Sequence, residues 1–323
     1  MHCRMKNAKK FIHDPMGINM KLFKNSIIFS EKQKFEFANV IKNNLFSEKR
    51  NKVTIFLCGG DVNDSKYGRY KISKVLSRND KLEIFYPEDL FDDLLAGQGQ
   101  YSLLSMENML AESVDAIIII PESPGSYSEL GAFANNEKLA SKMICIQDNK
   151  FRFKKSFLNY GPIRLLKKNS STSVLRCDFN ILDNDLLNEE FYQSLMKSIR
   201  NVQKKSPVKK SIDNILMADR FILPCIYLMD GINNVLLYDL LSKATGKANT
   251  LCEIIVKSAL SKLMKERVIV RTSEGYHITD AGMEYVLLRF DRLVLDKLRL
   301  EMMNFENRSN ISLNYGRIFS AHP

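Results

Sequence analysis

The chain is poor in the residues that mark several common chemistries. It has four histidines in 323 residues, and three of them (His2, His13 and His322) lie near the ends. A Ser-His-Asp triad or a histidine-rich metal site is therefore not expected, and no metal is predicted. The six cysteines, at positions 3, 58, 145, 177, 225 and 252, include no C-x-x-C pair. This spacing argues against a zinc ribbon or a disulfide framework and for reduced thiols in a cytoplasm. The longest aliphatic run, Ile117–Ile120, is far shorter than the ~20 residues of a membrane span. Arg4, Lys6, Lys9 and Lys10 make the start basic without an apolar stretch, so neither a signal peptide nor a membrane partner is expected.

What remains is the composition of an ordinary globular protein, 45% hydrophobic and 26% charged, with room for two domains. The net charge is +11. Part of the excess falls in one window: Lys243, Lys247, Lys257, Lys262, Lys265, Arg267 and Arg271 face only Glu253 and Glu266. Such clustering suits either nucleic-acid contact or a solvated helix face.

Hydrophobic periodicity divides the chain. Residues 1–49 read as an N-terminal extension, with a helix over Lys34–Phe46 packed on the first domain. Residues 50–202 alternate strands (Val53–Cys58, Leu82–Tyr86, Ala116–Ile120, Met143–Gln147) with helices (Tyr67–Ser77, Leu103–Ser113, Tyr127–Ser141, Glu189–Val202), which implies βαβ crossovers and a parallel sheet. Residues 203–212, rich in lysine around Pro207, read as a linker. Residues 213–323 read as helix, turn, helix, then a short hairpin, Val268–Arg271 with Tyr276–Ile278, and a last helix from Thr279 towards Leu300. That outline predicts a winged helix. The expected fold is thus α/β, a Rossmann-like parallel sheet, followed by an α+β winged helix-turn-helix domain. Lys257, Lys262, Arg267 and Arg271 are its phosphate-contact candidates.

The candidate chemistry gathers around Ile117–Gly131. Four consecutive isoleucines predict a central strand, and open α/β sheets bind ligands just past the carboxyl ends of such strands. Glu129 follows there. Ser126-x-x-Glu129 fits a capping box, which would make Glu129 a structural residue. Against this, Gly131 early in the helix lets a ligand approach, and Gly125-Ser126 leads into a helix N-terminus able to bind an anion. Glu122 at the exit of the strand and Asp115 at its entrance supply further carboxylates, as glycosidic chemistry needs. Gly59-Gly60-Asp61 and Tyr86, after the first two strands, are placed to line the same cleft. Tyr101 is a candidate gate, and Tyr67 and Arg69 read as surface residues.

Gly125-Ser126-x-x-Glu129-Leu130-Gly131 after an aliphatic strand resembles the nucleoside deoxyribosyltransferases. The resemblance implies that Glu129 is the nucleophile, attacking an anomeric carbon, and that Asp115 helps to hold the base. It implies that Gly59 and Gly60 form the glycine turn. Ser123 stands where that family has an aspartate, with Glu122 as a neighbouring substitute. The departure shifts the expectation from base transfer towards hydrolysis. Joined to a C-terminal winged helix, such a domain resembles the effectors of a class of bacterial retrons. That resemblance implies a toxin-like N-glycosidase of antiphage defence, partnered by a reverse transcriptase, its multicopy single-stranded DNA (msDNA) and RNA. It implies NAD+ as substrate, with no cofactor. A deoxyribosyltransferase and a DNA-binding regulator with a nucleotide-sensing domain are the competing readings.

Overall fold

The computed structural model describes residues 30–46, 52–88, 103–169, 174–229 and 231–304. Tyr101 lies outside them.

Five parallel strands form the first part: β1 (Val53–Cys58), β2 (Leu82–Phe85), β3 (Ala116–Ile119), β4 (Met143–Asp148) and β5 (Val174–Cys177), in the order β2-β1-β3-β4-β5. β3 pairs Ile117 with Met143 on one side and with Phe56 on the other, and it is buried along its whole length. The isoleucine run is central because both sheet faces are covered, leaving no position that water could solvate. Alternation then sorts the side chains. Ile117 and Ile119 join one core with Phe56, Leu110 and Phe133, whereas Ile118 and Ile120 join the other with Ile55, Ile72 and Leu195. The sheet order reverses direction between β1 and β3, and the carboxyl ends of these two strands mark the crevice where such folds place ligands.

Helices α1 (Glu31–Val40, prolonged by a π turn, Ile41–Leu45), α2 (Gly68–Ser77), α3 (Leu103–Ser113), α4 (Pro124–Ala134), α5 (Glu137–Ala140), α6 (Phe157–Tyr160), α7 (Pro162–Asn169) and α8 (Glu189–Lys205) accompany this part of the chain. The expected helix over Tyr127–Ser141 is corrected: it starts at Pro124, ends at Ala134 and is followed by a separate short helix. Strand β5 and the two helices before it were not anticipated from the sequence.

The second part contains α9 (Asp219–Leu228), α10 (Asn234–Thr245), α11 (Asn249–Lys265), the antiparallel pair β6 (Ile269–Arg271) and β7 (Tyr276–Ile278), α12 (Asp280–Arg289) and α13 (residues 292–304). Gly246, at φ +71°, closes α10 in a left-handed turn that favours glycine. An isolated antiparallel bridge joins Ile232 to Tyr276 of the ribbon. The last helix is not continuous as expected, because Phe290 adopts an extended conformation and ends α12.

Two further differences concern how the parts meet. Helix α1 packs on the second part and not on the sheet: Phe37, Ala38, Ile41 and Leu45 join a core with Phe221, Leu237 and Leu240. Ion pairs Lys34–Asp239 (2.7 Å) and Lys243–Glu31 (2.6 Å) flank that contact. Helix α8 runs on to Lys205, and the segment after it is anchored: Asn214 Nδ2 donates to Ser113 O at 3.0 Å, while Ile215 and Leu216 enter the sheet core beside Ile254 of α11. Among the described residues, no helix is long and apolar enough to cross a membrane.

Candidate active site

Helix α4 places Glu129. Ser123 is its N-cap: the Oγ accepts from Ser126 N, and the Ser126 hydroxyl accepts from Ser123 N in return. Pro124 occupies the first helical position, where a missing N–H leaves nothing unsatisfied. This corrects the expected capping box. Ser126 is the third helical residue, not the cap, so Glu129 lies in the second turn and is free of capping duty. The cap also consumes donors expected to bind an anion, since Pro124 has no N–H and Ser126 N is occupied.

The Glu129 carboxyl is mostly buried, and its Oε2 has no hydrogen-bond partner among the described residues. Burial pushes the acid up to about 7, with the nearby Glu107 carboxylate reinforcing the shift and Arg69 opposing it. Beside it, at the carboxyl end of β1, the buried Cys58 thiol is pushed well up by burial and by Glu129.

Arg69 is not the surface residue expected from its surroundings in sequence. Its side chain is 3% exposed and forks onto Glu88, with both contacts at 2.9 Å. Nη1 also donates to Gly60 O at 3.0 Å, and the guanidinium lies 5.1 Å from the centre of the Tyr86 ring. Burial works against the charge, but the Glu88 bonds more than offset it and hold Arg69 above its ordinary value. Its Nε is buried without a partner among the described residues. A buried orphan donor and a buried orphan acceptor thus belong to one charged cluster. Such atoms are rare in folded proteins because each lacks the bond it would make in water.

The glycines after β1 serve packing around this arginine. A Cβ at Gly59 would lie 2.7 Å from Arg69 Cβ, and one at Gly60 would lie 2.3 Å from the Tyr67 ring. Ser123 Oγ donates to Gly59 O at 3.0 Å, tying the β1 turn to the start of α4. Asp61 Oδ1 accepts from Asn63 N at 2.9 Å and shapes an exposed turn.

The other two expected catalytic carboxylates are engaged elsewhere. Glu122 accepts from the backbone N–H groups of Gly60 (3.0 Å), Gly68 (2.6 Å) and Arg69 (2.8 Å). It caps α2 and fixes the β1 turn, so it positions Arg69. Asp115 is corrected more strongly. It accepts from Thr54 N at 2.8 Å and Thr54 Oγ1 at 2.9 Å, at the amino end of β3. Four residues of strand, about 13 Å, separate that end from the carboxyl ends of β1 and β3. Glu107 of α3, passed over in sequence, is the buried carboxyl near Glu129 instead; burial, and then Glu88, raise it above its ordinary value. Its only sequence signal was an acid on the otherwise apolar side of a helix.

A family profile described as STM3845 retron effector protein matches residues 65–271. The chain belongs to this family of retron effectors. It is 51% identical over 306 residues to an Escherichia coli protein named "Retron Ec86 putative ribosyltransferase/DNA-binding protein", covering 93% of this chain and 100% of that one. A second Escherichia coli protein, "Retron Ec73 putative ribosyltransferase/DNA-binding protein", is 34% identical over 124 residues, 37% of this chain and 39% of its own length.

In the second part of the effector, the four phosphate-contact candidates do not share one state. Lys262 Nζ is paired with Asp219 at 3.0 Å and holds α11 to α9. Lys257 is exposed but pairs with Glu253 at 2.6 Å, one helical turn away. Arg267, at φ +57°, and Arg271 are exposed beside the ribbon, and Arg271 lies 5.8 Å from the Tyr276 ring centre. Helix α11 itself is mostly buried, through Cys252, Ile255, Val256, Ala259 and Leu263 on one core and Ile254 on the other.

Proposed function

We propose that this retron effector is an N-glycosidase that cleaves the ribosyl bond of NAD+ through Glu129. The observation that carries the reading is the buried pair of unsatisfied atoms, Glu129 Oε2 and Arg69 Nε, beside the β1/β3 crevice. Its coarser form, glycosyl-transfer chemistry, is in keeping with the ribosyltransferase wording in the names of both relatives.

In the proposed reaction, a Glu129 oxygen bonds to C1′ of the ribose as the bond from C1′ to the pyridinium nitrogen breaks. The electron pair of that bond neutralises the ring, and nicotinamide leaves without needing a proton. Water then attacks C1′, giving up its proton to a neighbouring carboxylate, for which Glu107 is the candidate, and Glu129 departs as the free carboxylate. A cationic substrate suits the site, because positive charge beside Glu129 favours the ionised nucleophile against its burial. Arg69, fixed by Glu88, Gly60 and Tyr86, would meet an acceptor on the ligand through Nε. We further propose that helices α9–α11 and the ribbon form a winged helix. In this reading Arg267 and Arg271 contact phosphate, and the reverse transcriptase–msDNA–RNA particle controls the enzyme in antiphage defence. The helix–ribbon order and the bridge from Ile232 support this.

Incubating the full chain, alone and with its retron particle, with NAD+ and with deoxynucleosides tests the reading by chromatography of the released base. Nicotinamide should appear with time, and Glu129→Gln should lower its rate at least about a thousandfold. Binding of NAD+ without turnover, or release of base only from deoxynucleosides, would replace this function with a sensor or a transferase.

A further inference from the structure

Residues 149–169 contain seven basic side chains, four aromatic ones and no aspartate or glutamate. They follow the carboxyl end of β4 and continue through α6 and α7. Lys150, Arg152, Lys154, Lys155, Arg164, Lys167 and Lys168 are all exposed. Lys150 pairs with Asp148 at 3.0 Å; among the described residues the other six have no carboxylate partner. The crowding is felt within the patch: burial first, then Arg176 and Arg152, lower the affinity of Lys167 for its proton.

Aromatic rings are interleaved with these cations and face outwards. Phe153 is 85% exposed, Phe157 87% and Tyr160 59%. Lys150 lies 5.0 Å from the Phe151 ring centre, and Arg152 lies 5.0 Å from that of Phe153. Leaving rings of this size in water forfeits the burial that drives folding. The segment is nevertheless held in place. Asn159 Nδ2 donates to Phe151 O (3.0 Å) and Lys154 O (2.7 Å), and Asn159 Oδ1 accepts from Gln147 Nε2 (2.9 Å). Beside the rings runs a groove of about 910 Å³, lined by Gly131, Ala134, Phe157, Tyr160, Arg164 and Lys168 among others.

We infer that this platform binds single-stranded nucleic acid. Unpaired positive charge tracks a phosphate backbone, and outward rings offer stacking faces to unpaired bases. A duplex hides its base faces in its own stack, so the rings favour a single strand. The contrast with the second part of the chain supports the assignment, because there Lys243, Lys247, Lys257 and Lys262 are each paired with a carboxylate. Strand β4 is next to β3 in the sheet, so the platform lies on the same sheet edge as Glu129. A strand in the groove therefore passes over the second half of α4, and nucleic acid and small substrate occupy adjoining sites. The inference does not depend on the glycosidase reading, since its test measures binding alone.

The test uses the full chain and fluorescein-labelled mixed-sequence single strands of about 20 nucleotides, as DNA and as RNA, with the matching DNA duplex as comparison. Anisotropy titrations across a range of NaCl concentrations should show the single strand bound at least about tenfold tighter than the duplex. Phe153→Ala/Phe157→Ala should weaken the single strand at least about tenfold and keep the wild-type melting temperature, because both rings are solvated. Lys154→Glu/Lys155→Glu should flatten the salt dependence by about two contacts. The DNA and RNA arms identify which strand is preferred. Wild-type affinity in the double-alanine variant, or absence of single-strand binding, would each overturn the platform, leaving the rings as a protein-docking surface.

Discussion

At the scale of single residues, the protonation of Glu129 links the site to stability. Its carboxyl moves from an ordinary value of 4.5 to about 7 in the folded protein, chiefly through burial. Between those values the folded state holds a proton that the unfolded state has lost, so stability falls as pH rises, and the deficit is complete above about 7. Glu129→Gln removes the titration. The variant should be more stable than wild type at pH 8 by up to about 3 kcal/mol, and nearly equal to it at about pH 4. Urea unfolding at both pH values checks this, and equal stability differences at the two would show that the acid is not buried as described. For the same reason, kcat/KM for NAD+ should rise through about pH 7 as the nucleophile ionises. The position of Glu129 just past the central strand was legible in sequence because strand, loop and carboxylate are contiguous. Arg69 and Glu107 were not, because their burial depends on α2 and α3 being brought against β1 and β3 from distant positions. Glu122 and Asp115 were drawn in by nearness in sequence to the strand ends, which says nothing about backbone donors arriving from Gly68 or Thr54.

At the scale of elements, the strands were easiest to read. Branched aliphatic runs such as Ile117–Ile119 have only one comfortable environment, a sheet covered on both faces. Helix starts were harder. Ser123 and Ser126 are three residues apart and both fit an N-cap; Pro124 decides between them, since it favours the first helical position over the third. β5 escaped because four residues with only Cys177 fully buried leave a weak pattern. Gly131 gives an element-scale prediction. It lies inside α4, and a Cβ there meets nothing within 4 Å. Gly131→Ala should therefore stabilise the protein by up to about 1 kcal/mol through helix propensity, seen as a higher urea midpoint with an unchanged slope. Unchanged NAD+ turnover in that variant would mean that the glycine is not needed for substrate approach, and a large loss would mean that substrate reaches the α4 backbone.

At the scale of the whole molecule, the first and last described helices, α1 and α13, belong to the same body. Helix α1 completes the core formed by α9–α13, and the sheet is inserted between them along the sequence. Sequence alone could not show this, since the spacing of Phe37, Ile41 and Leu45 reveals an apolar face but not which distant surface covers it. The arrangement predicts that removing residues 1–46 damages the far end of the chain. Four buried side chains, Phe37, Ala38, Ile41 and Leu45, would leave Phe221, Leu237 and Leu240 uncovered. Full burial of a large apolar side chain contributes about 1.5–3 kcal/mol, and the entropy of ordering α1 offsets much of the sum. A net loss of a few kcal/mol is expected, and the uncovered leucines should promote association. Scanning calorimetry of the shortened chain should show the transition of the C-terminal part lowered and broadened. Light scattering should rise, and the sheet should be less affected because its strands and helices keep their own two cores. A thermogram identical to that of the full chain would mean that α1 is an appendage and not part of the core.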